Sequence, residues 1–204
     1  VWKPIVLEAD GYYTANDFDS NGKLNANLPQ PRFGRVAPGD IKYKDYNNDQ
    51  VVDENDAHPI GNSTVPAWNY MFSGGFKYKG FDFSVMFQGV AQRDIYLRGA
   101  NIYSFQNNGT ASNLALDSWT PTHTDASYPR LSTMNFSNNY RTSTFWRRNG
   151  SFLRLRNVQV GYELANSVTR ALRLSSVYFY VNATNLFTLD HLGKLGDAEQ
   201  DNLL

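Results

Sequence analysis

The chain has 204 residues, enough for one domain or for part of a larger one. Lys plus Arg and Asp plus Glu number 19 each, so the balanced charge argues against a nucleic-acid partner. Cysteine is absent, which excludes disulfides and thiolate metal sites. No stretch approaches the roughly 20 apolar residues of a membrane-spanning helix, and any signal peptide is expected outside this sequence.

Residues 10 to 66 are rich in Asp, Asn, Gly and Pro, which predicts a long loop region. Within it, DYNNDQVVDEND (45 to 56) has the oxygen spacing of a calcium loop. The candidate calcium ligands are Asp45, Asn47, Asp49, the Val51 carbonyl, Asp53 and Asp56. Gln50 stands where such loops usually have glycine, and the last ligand is Asp instead of Glu. The alternative is an Asx-rich surface turn held by its own hydrogen bonds.

A β-hairpin is predicted at residues 69 to 78 and 81 to 90, with Lys79 and Gly80 as its two-residue turn. Apolar and polar residues alternate in both segments, which is the period-2 pattern of strands. One face is expected to carry Tyr70, Phe72, Phe76, Tyr78, Phe81, Phe83, Val85 and Phe87. The opposite face is expected to carry Met71, Ser73, Lys77, Asp82, Ser84 and Gln88.

A second long loop is predicted at residues 91 to 148, followed by strands at 151 to 164 and 175 to 188 that about ten residues connect. In the first of these strands, the apolar positions change parity from Leu153 and Leu155 to Val158 and Val160. A one-residue slip moves side chains to the opposite face, so a β-bulge is expected near Asn157.

Long loops thus alternate with short connections, an asymmetry typical of outer-membrane barrels. The predicted fold class is all-β, as part of a large antiparallel transmembrane β-barrel with long extracellular loops and short periplasmic turns. Its wet interior would be lined by Lys77, Asp82, Gln88, Arg154, Arg156 and Asn182. A soluble β-sandwich would place the same polar face in solvent, so the pattern alone leaves both architectures open.

Five segments carry more specific motifs. They are PGDIKYKDYNNDQVVDENDAHPIGN (38 to 62), YKGFDFSVMFQGV (78 to 90), SWTPTHTDASYPRL (118 to 131), FLRLRNVQVGYEL (152 to 164) and VYFYVNATNLFTL (177 to 189). In order and spacing they resemble the SusC/RagA-type TonB-dependent transporters of the Bacteroidota outer membrane. The resemblance covers about residues 32 to 190.

The resemblance implies that residues 32 to 204 are the C-terminal portion of a barrel of about 22 strands. Residues 1 to 31 stay unassigned and are expected to form an extracellular loop. The resemblance also implies that the plug domain and the TonB box lie outside this sequence. The last strand is expected outside it too, because GDAEQDNLL (196 to 204) lacks the terminal aromatic residue of the family.

The implied function is TonB-dependent import of a nutrient across the cell outer membrane. The implied partners are a SusD-like surface lipoprotein, the TonB-ExbB-ExbD complex, outer-membrane lipid, and an oligosaccharide or peptide ligand. Calcium is the only cofactor that the residues suggest.

Aromatic and polar residues of the longest loop are candidates for contact with that ligand. They are Tyr103, Phe105, Asn107, Trp119, Tyr128 and Arg130. Aromatic residues near strand ends also form the interfacial girdle of a barrel, and loop aromatics also pack the loop itself. All three roles remain open.

An enzyme is not predicted, because His58, His123 and His191 are scattered without metal-ligand spacing and no G-x-S-x-G motif occurs. The alternative function is a secreted β-sandwich binding module with a dockerin-like calcium loop. Such a module would cover Phe83, Val85, Phe179 and Val181 with a second sheet, whereas a barrel would leave them bare.

Overall fold

The computed structural model describes residues 2 to 133, 138 to 192 and 195, with only the backbone of Asn107. Most of the regular structure in the described residues is β-strand, with short 3₁₀ turns between the strands, which confirms the predicted class. The strands are β1 (Ile5–Val6), β2 (Ala9–Tyr12), β3 (Gln30–Pro31), β4 (Ile41–Tyr43), β5 (Val51–Val52), β6 (His58–Pro59), β7 (Trp68–Tyr78), β8 (Phe81–Ala91), β9 (Asp94–Tyr96), β10 (Arg147–Asn149), β11 (Phe152–Glu163), β12 (Tyr178–Thr184) and β13 (Thr188–Leu189). The described residues include one α-helix, α1, which spans Asn166–Ala171 within the connection between the last two long strands.

The long strands form one antiparallel sheet in the order β12-β11-β8-β7, and β13 pairs with the other end of β11. Strands β7 and β8 are the predicted hairpin, paired along their whole length. Lys79 and Gly80 have φ values of 48° and 87°, as a type I′ two-residue turn requires. Within the described residues the sheet does not close, since β7 and β12 each have a partner on one side only.

The predicted bulge is confirmed at Arg156, because Leu155 pairs with Phe87 while Asn157 pairs with the adjacent residue of β8, Met86, so that Arg156 is the extra residue between these two pairs. The extra residue produces the parity change in the sequence of β11. Opposite the bulge, the predicted strand 175 to 188 is broken at Asn185, which has a φ of 52° and donates its N–H to the Arg156 carbonyl at 3.1 Å. The bulge and the strand break are therefore one local feature.

Residues 2 to 67, 92 to 133 and 138 to 150 fold into a second unit, which we call the loop body. Short strand pairs hold it together: β1 with β6, β2 with β4, β3 with β5, and β9 with β10. Its core gathers distant residues, including Leu7, Phe33, Ile41, Tyr43, Val52, Ile95, Leu97, Ile102, Tyr103, Tyr128 and Trp146. Both predicted long loops and the unassigned N-terminal segment thus contribute to one hydrophobic core.

The loop body packs on one face of the sheet, at the end opposite the Lys79–Gly80 turn. We call the two ends of the long strands the loop end and the turn end. Val90 of β8 and Phe152 of β11 are paired and buried, and both belong to the loop-body core. Because side chains alternate along a strand, Val90 shares its face with Asp82 and Gln88. The loop body therefore covers the polar face at the loop end and leaves the apolar face bare.

Candidate functional site

The sheet presents a continuous apolar face. The strand register brings together Tyr70, Phe72, Phe76, Tyr78, Phe81, Phe83, Val85, Phe87, Leu153, Leu155, Val158, Val160, Tyr162, Phe179, Val181 and Ala183. Phe179 is 61% exposed and Val181 is 75% exposed, and the described residues place no second sheet over them. Apolar patches of this extent mark a contact with lipid or with another molecule. The described residues therefore do not supply the second sheet that the β-sandwich alternative requires.

The opposite face carries a hydrogen-bonded polar group near the turn end. Tyr178 donates its hydroxyl to Asp82 Oδ2 at 2.6 Å, and Gln159 Nε2 donates to the Tyr178 hydroxyl at 3.2 Å. Lys77 Nζ lies 3.9 Å from the same carboxylate oxygen. The Tyr178 ring can lie flat across the sheet because Gly161 beneath it has no side chain. This face thus presents polar, hydrogen-bonding side chains, in contrast to the apolar face behind it.

Three of the six candidate ligand residues are buried in or beside the loop-body core: Tyr103, Trp119 and Tyr128. Tyr103 and Tyr128 pack edge-on against Trp146, with ring centroids 5.4 and 5.6 Å away. The Tyr128 hydroxyl donates to the Ile102 carbonyl at 2.8 Å. Burial raises the pKa of Tyr103 to about 12. These contacts favour the packing role that the sequence left open over direct ligand contact.

Arg130 is engaged by a buried carboxylate. Its Nε lies 2.8 Å from Asp40 Oδ1, and its Nη2 donates to Asp40 Oδ2 at 3.0 Å. Of the remaining candidates, Phe105 is half-buried with a φ of 62°, and the side chain of Asn107 lies outside the described residues. Direct ligand contact by any of the six residues stays a prediction.

Asp40 is a residue that the sequence analysis missed. Its side chain is fully buried and accepts from Asn139 Nδ2 at 2.8 Å and from the Ala37 N–H at 2.8 Å, besides binding Arg130. Asn139 in turn accepts the Ile41 N–H at 2.9 Å. A charged residue within PGDIKY, directly before the buried strand β4, was the available signal. This network fixes the segment that leads into the calcium-like loop.

The calcium-like loop is held by its own side chains. Asp45 accepts the N–H groups of Asp49 and Gln50, at 3.2 and 2.8 Å. The other Asx acceptors bond similarly: Asn47 accepts from Asp49, Asp49 from Val51, and Asp53 from Asn55. Gln50, at the usual glycine position, adopts a φ of 64°. This is the self-bonded Asx turn that the sequence offered as the alternative.

Asp56 is the hub of that loop. Its side chain is buried, Oδ1 accepts the Tyr46 N–H at 2.8 Å, and Oδ2 accepts the Asp53 N–H at 2.8 Å. Across the part of the chain that the structure describes, no group of three or more His, Cys, Asp or Glu side chains is arranged to hold a metal ion. The fold of the loop is explained without an ion, and calcium binding by the six candidate positions stays a prediction.

A cavity of about 630 Å³ lies between the N-terminal segment and β9. Trp2, Ile5, Val65, Arg93 and Tyr96 are among the residues that line it. None of the six predicted ligand residues does so. Tyr128 and Arg130 line a much smaller cavity of about 10 Å³, which has room for about one water molecule.

No family model matches the chain. The chain is 28% identical over 173 residues to TonB-dependent receptor P3 of Formosa agariphila, a match that covers 83% of this chain and 16% of that protein. Within the described residues, no helix is both long and apolar enough to cross a membrane.

The fold is similar to solved structures of the RagAB peptide importer. The TM-scores are 0.59 for the open-open state and 0.60 for the closed-closed state, at 19% and 18% identity. A structure of the RagAB peptide transporter gives 0.62 at 19% identity. Each match covers 92% of this chain and 19% of the other, so this chain spans less than a fifth of the proteins it resembles. The receptor relative and these barrel folds together confirm the resemblance of this chain to the SusC/RagA-type TonB-dependent transporters.

Proposed function

We propose that this chain forms part of the wall and outer loops of an outer-membrane transporter that imports an oligomeric nutrient in a TonB-dependent manner. The observation that carries the proposal is the contrast between the two faces of the long sheet. Except for the buried Leu155, the side chains of the apolar face are exposed or half-exposed, while the loop body caps the polar face at the loop end. A water-soluble domain would cover the apolar face first, whereas a barrel wall needs lipid on one side and water on the other.

The dimensions of the sheet support this assignment. Strand β7 has 11 residues, and the ten steps of about 3.4 Å from its first to its last Cα span roughly 34 Å along the strand. A tilt of about 40° reduces this to about 26 Å, close to the roughly 25 Å apolar band of outer-membrane barrels. Exposed aromatic rings mark both ends of the apolar face: Trp68 at the loop end, and Tyr78 and Phe81 at the turn end. These are the positions of the two interfacial girdles.

Outer-membrane barrels have short periplasmic turns and long outer loops. In the proposed orientation, the Lys79–Gly80 turn and α1 therefore lie in the periplasm, and the loop body lies outside the cell. The loop body then offers the surface on which a SusD-like lipoprotein would rest. The ligand would be a peptide or glycan oligomer, and the names of the RagAB structures support a peptide. Energy would come from a TonB-ExbB-ExbD complex, as the name of the receptor relative suggests.

Uptake of labelled peptides and oligosaccharides by cells that carry the full-length protein tests the proposal. We expect accumulation that disappears when either tonB or the gene for this protein is deleted, and that returns when the deleted gene is supplied. Accumulation that is unchanged without tonB would refute energised import. Accumulation that survives loss of this protein would show that another protein is the importer.

Accessibility of single cysteines tests the orientation independently of any substrate. The chain contains no cysteine, so Asn21→Cys in the loop body and Lys79→Cys at the turn introduce one reactive position each, once any cysteine elsewhere in the full-length protein is replaced. A membrane-impermeant thiol reagent should label Asn21→Cys on intact cells. It should label Lys79→Cys only after the outer membrane is permeabilised. Labelling of both on intact cells would contradict the proposed topology.

A further inference from the structure

The connection between β11 and β12, residues 165 to 177, is basic and amphipathic; we call it the basic connection. It contains Arg170 and Arg173 but no Asp or Glu. Three apolar side chains within it are exposed: Val168 at 45%, Leu172 at 58% and Leu174 at 48%. A basic amphipathic segment of this kind is typical of a membrane-surface contact.

The backbone of the basic connection fixes the direction of these side chains. The Leu172 N–H donates to the Val168 carbonyl at 3.1 Å, so both side chains lie on one side of α1. Thr169, on a different side, is buried. Arg173 adopts a φ of 57°, and the Leu174 N–H donates back to the Thr169 carbonyl at 2.9 Å, as in a Schellman helix end. The exposed apolar stripe is thus built into an ordered turn.

The basic connection lies where the apolar face of the sheet ends. The Leu164 N–H donates to the Val177 carbonyl at 2.9 Å, and the Glu163 N–H donates to the Gly80 carbonyl at 2.8 Å. The last rows of the apolar face, Phe81 with Tyr162 and Tyr162 with Phe179, are paired directly beside it. The basic connection, with its exposed apolar side chains, therefore begins directly beside the row where the apolar face of the sheet ends.

The charges at the turn end are mostly positive. Residues 74 to 84 and 159 to 180 contain four cations, Lys77, Lys79, Arg170 and Arg173, against two anions, Asp82 and Glu163. Lys77 and Asp82 face each other on the polar face. Lys79 extends over the ring of Tyr78, 5.2 Å from its centroid, and Tyr78 belongs to the apolar face. Cations therefore stand at the edge of the apolar band, where anionic headgroups would lie.

We propose that the basic connection binds the surface of the phospholipid leaflet at the turn end of the barrel wall. Val168, Leu172 and Leu174 enter the boundary between headgroups and acyl chains, and Arg170, Arg173 and Lys79 contact the phosphates. The excess of cations at the turn end and the position of the basic connection beside the apolar face both favour an anionic bilayer surface as its binding partner. The proposal rests on the proposed transporter function only for the assignment of the apolar face to lipid.

Nitroxide labels on the full-length protein in vesicles of phosphatidylcholine and phosphatidylglycerol test the proposal. Leu172→Cys is the test site, Val181→Cys on the apolar face is the lipid reference, and Asn21→Cys is the water reference. Spin-label accessibility to oxygen and to a water-soluble nickel complex should place the Leu172 label between the two references. A label at Leu172 as water-accessible as that at Asn21, with Val181 in lipid, would overturn the membrane contact alone. A water-accessible label at Val181 would overturn the proposed function instead.

The role of charge is tested by the double variant Arg170→Gln/Arg173→Gln carrying the Leu172 label. Each cation near an anionic leaflet contributes about fivefold to surface binding. Removing two cations should therefore lower the ratio of membrane-inserted to water-exposed label by up to roughly thirtyfold. The loss should vanish in vesicles of phosphatidylcholine alone. The matched control, Lys23→Gln/Arg35→Gln in the loop body, should change nothing. Equal immersion of the variant and the wild type in phosphatidylglycerol would refute the electrostatic part of the proposal.

Discussion

At the scale of single residues, Asp40 is the polar group on which the loop body most depends. It is fully buried and binds Arg130, Asn139 and the Ala37 N–H at once. Removing one partner of a buried, hydrogen-bonded charge pair costs about 3–5 kcal/mol, because the other charge stays without compensation. Asp40→Ala should therefore destabilise the loop body by about 3 kcal/mol, measured as faster hydrogen exchange of the Ile41 amide. The exposed control Asp10→Asn should exchange at the wild-type rate.

Asp56 gives a second residue-scale prediction. Asp56→Asn would turn an amide N–H₂ toward a backbone N–H that the carboxylate now accepts, at a cost of about 1–3 kcal/mol. We expect faster exchange of the Tyr46 and Asp53 amides, whereas Glu54→Gln in the same turn should have little effect. Calcium titration of the full-length protein belongs to the same experiment. Calcium that slows exchange in the wild type, and not in Asp56→Asn, would establish the predicted ion site.

Asp117 makes the loop body sensitive to acid. It accepts the Ser127 N–H at 2.9 Å and lies 2.7 Å from His123 Nε2. The hydrogen bonds from Ser127, and then from His123, lower its pKa from 3.8 to about 2. A lowered folded-state pKa gives stability that is complete above the unfolded pKa of about 4 and is lost as pH falls through about 2. The protection of the Ser127 amide, measured as its exchange rate relative to the intrinsic rate at the same pH, should fall over that window in the wild type and in Asp125→Asn, but not in Asp117→Asn.

At the scale of elements, the contact between Gly161 of β11 and Tyr178 of β12 couples two strands. A Cβ at position 161 would overlap the Tyr178 hydroxyl, which donates to Asp82 across β11. Gly161→Ala should lower the free energy of unfolding by about 1–3 kcal/mol, measured by denaturation of the full-length protein in detergent. Gly74→Ala is the matched control, because nothing lies within 4 Å of its added Cβ. In the Tyr178→Ala background, Gly161→Ala should cost little, because the ring that its Cβ would overlap is absent. Equal costs of Gly161→Ala in both backgrounds would contradict the coupling.

The elements of the sheet could be predicted because each carries its own local signal. Period-2 alternation marks β7 and β8, the Lys79–Gly80 pair marks their turn, and the parity change in β11 marks the bulge at Arg156. The loop body could not be predicted in this way. Its strands have two to four residues and pair across long stretches of chain, such as β1 with β6, so no local pattern announces them. Tyr103 and Tyr128, which the sequence offers as candidates for ligand contact or for packing of the loop, are part of its core.

At the scale of the whole molecule, a charge introduced on the apolar face should reduce membrane insertion, whereas the same charge on the polar face should not. Val181 and Asn182 are neighbours on β12 and point to opposite faces. A lysine on the lipid face of a barrel costs about 2–4 kcal/mol near the bilayer centre, while lumen positions tolerate charge. Val181→Lys should therefore reduce the folded, membrane-inserted fraction, measured by heat-modifiable gel mobility, and Asn182→Lys should not. Equal behaviour of the two variants would contradict a lipid-facing side.

The core of the loop body draws on residues from both sides of the β7–β8 hairpin, such as Leu7 and Tyr43 before it and Trp146 after it. Under the proposed orientation, these stretches reach the exterior by separate passages through the bilayer. The core can therefore close only after both passages are complete. Folding of the loop body outside the cell would then make insertion of the β7–β8 hairpin hard to reverse, because the closed core would have to unfold before the hairpin could leave the bilayer.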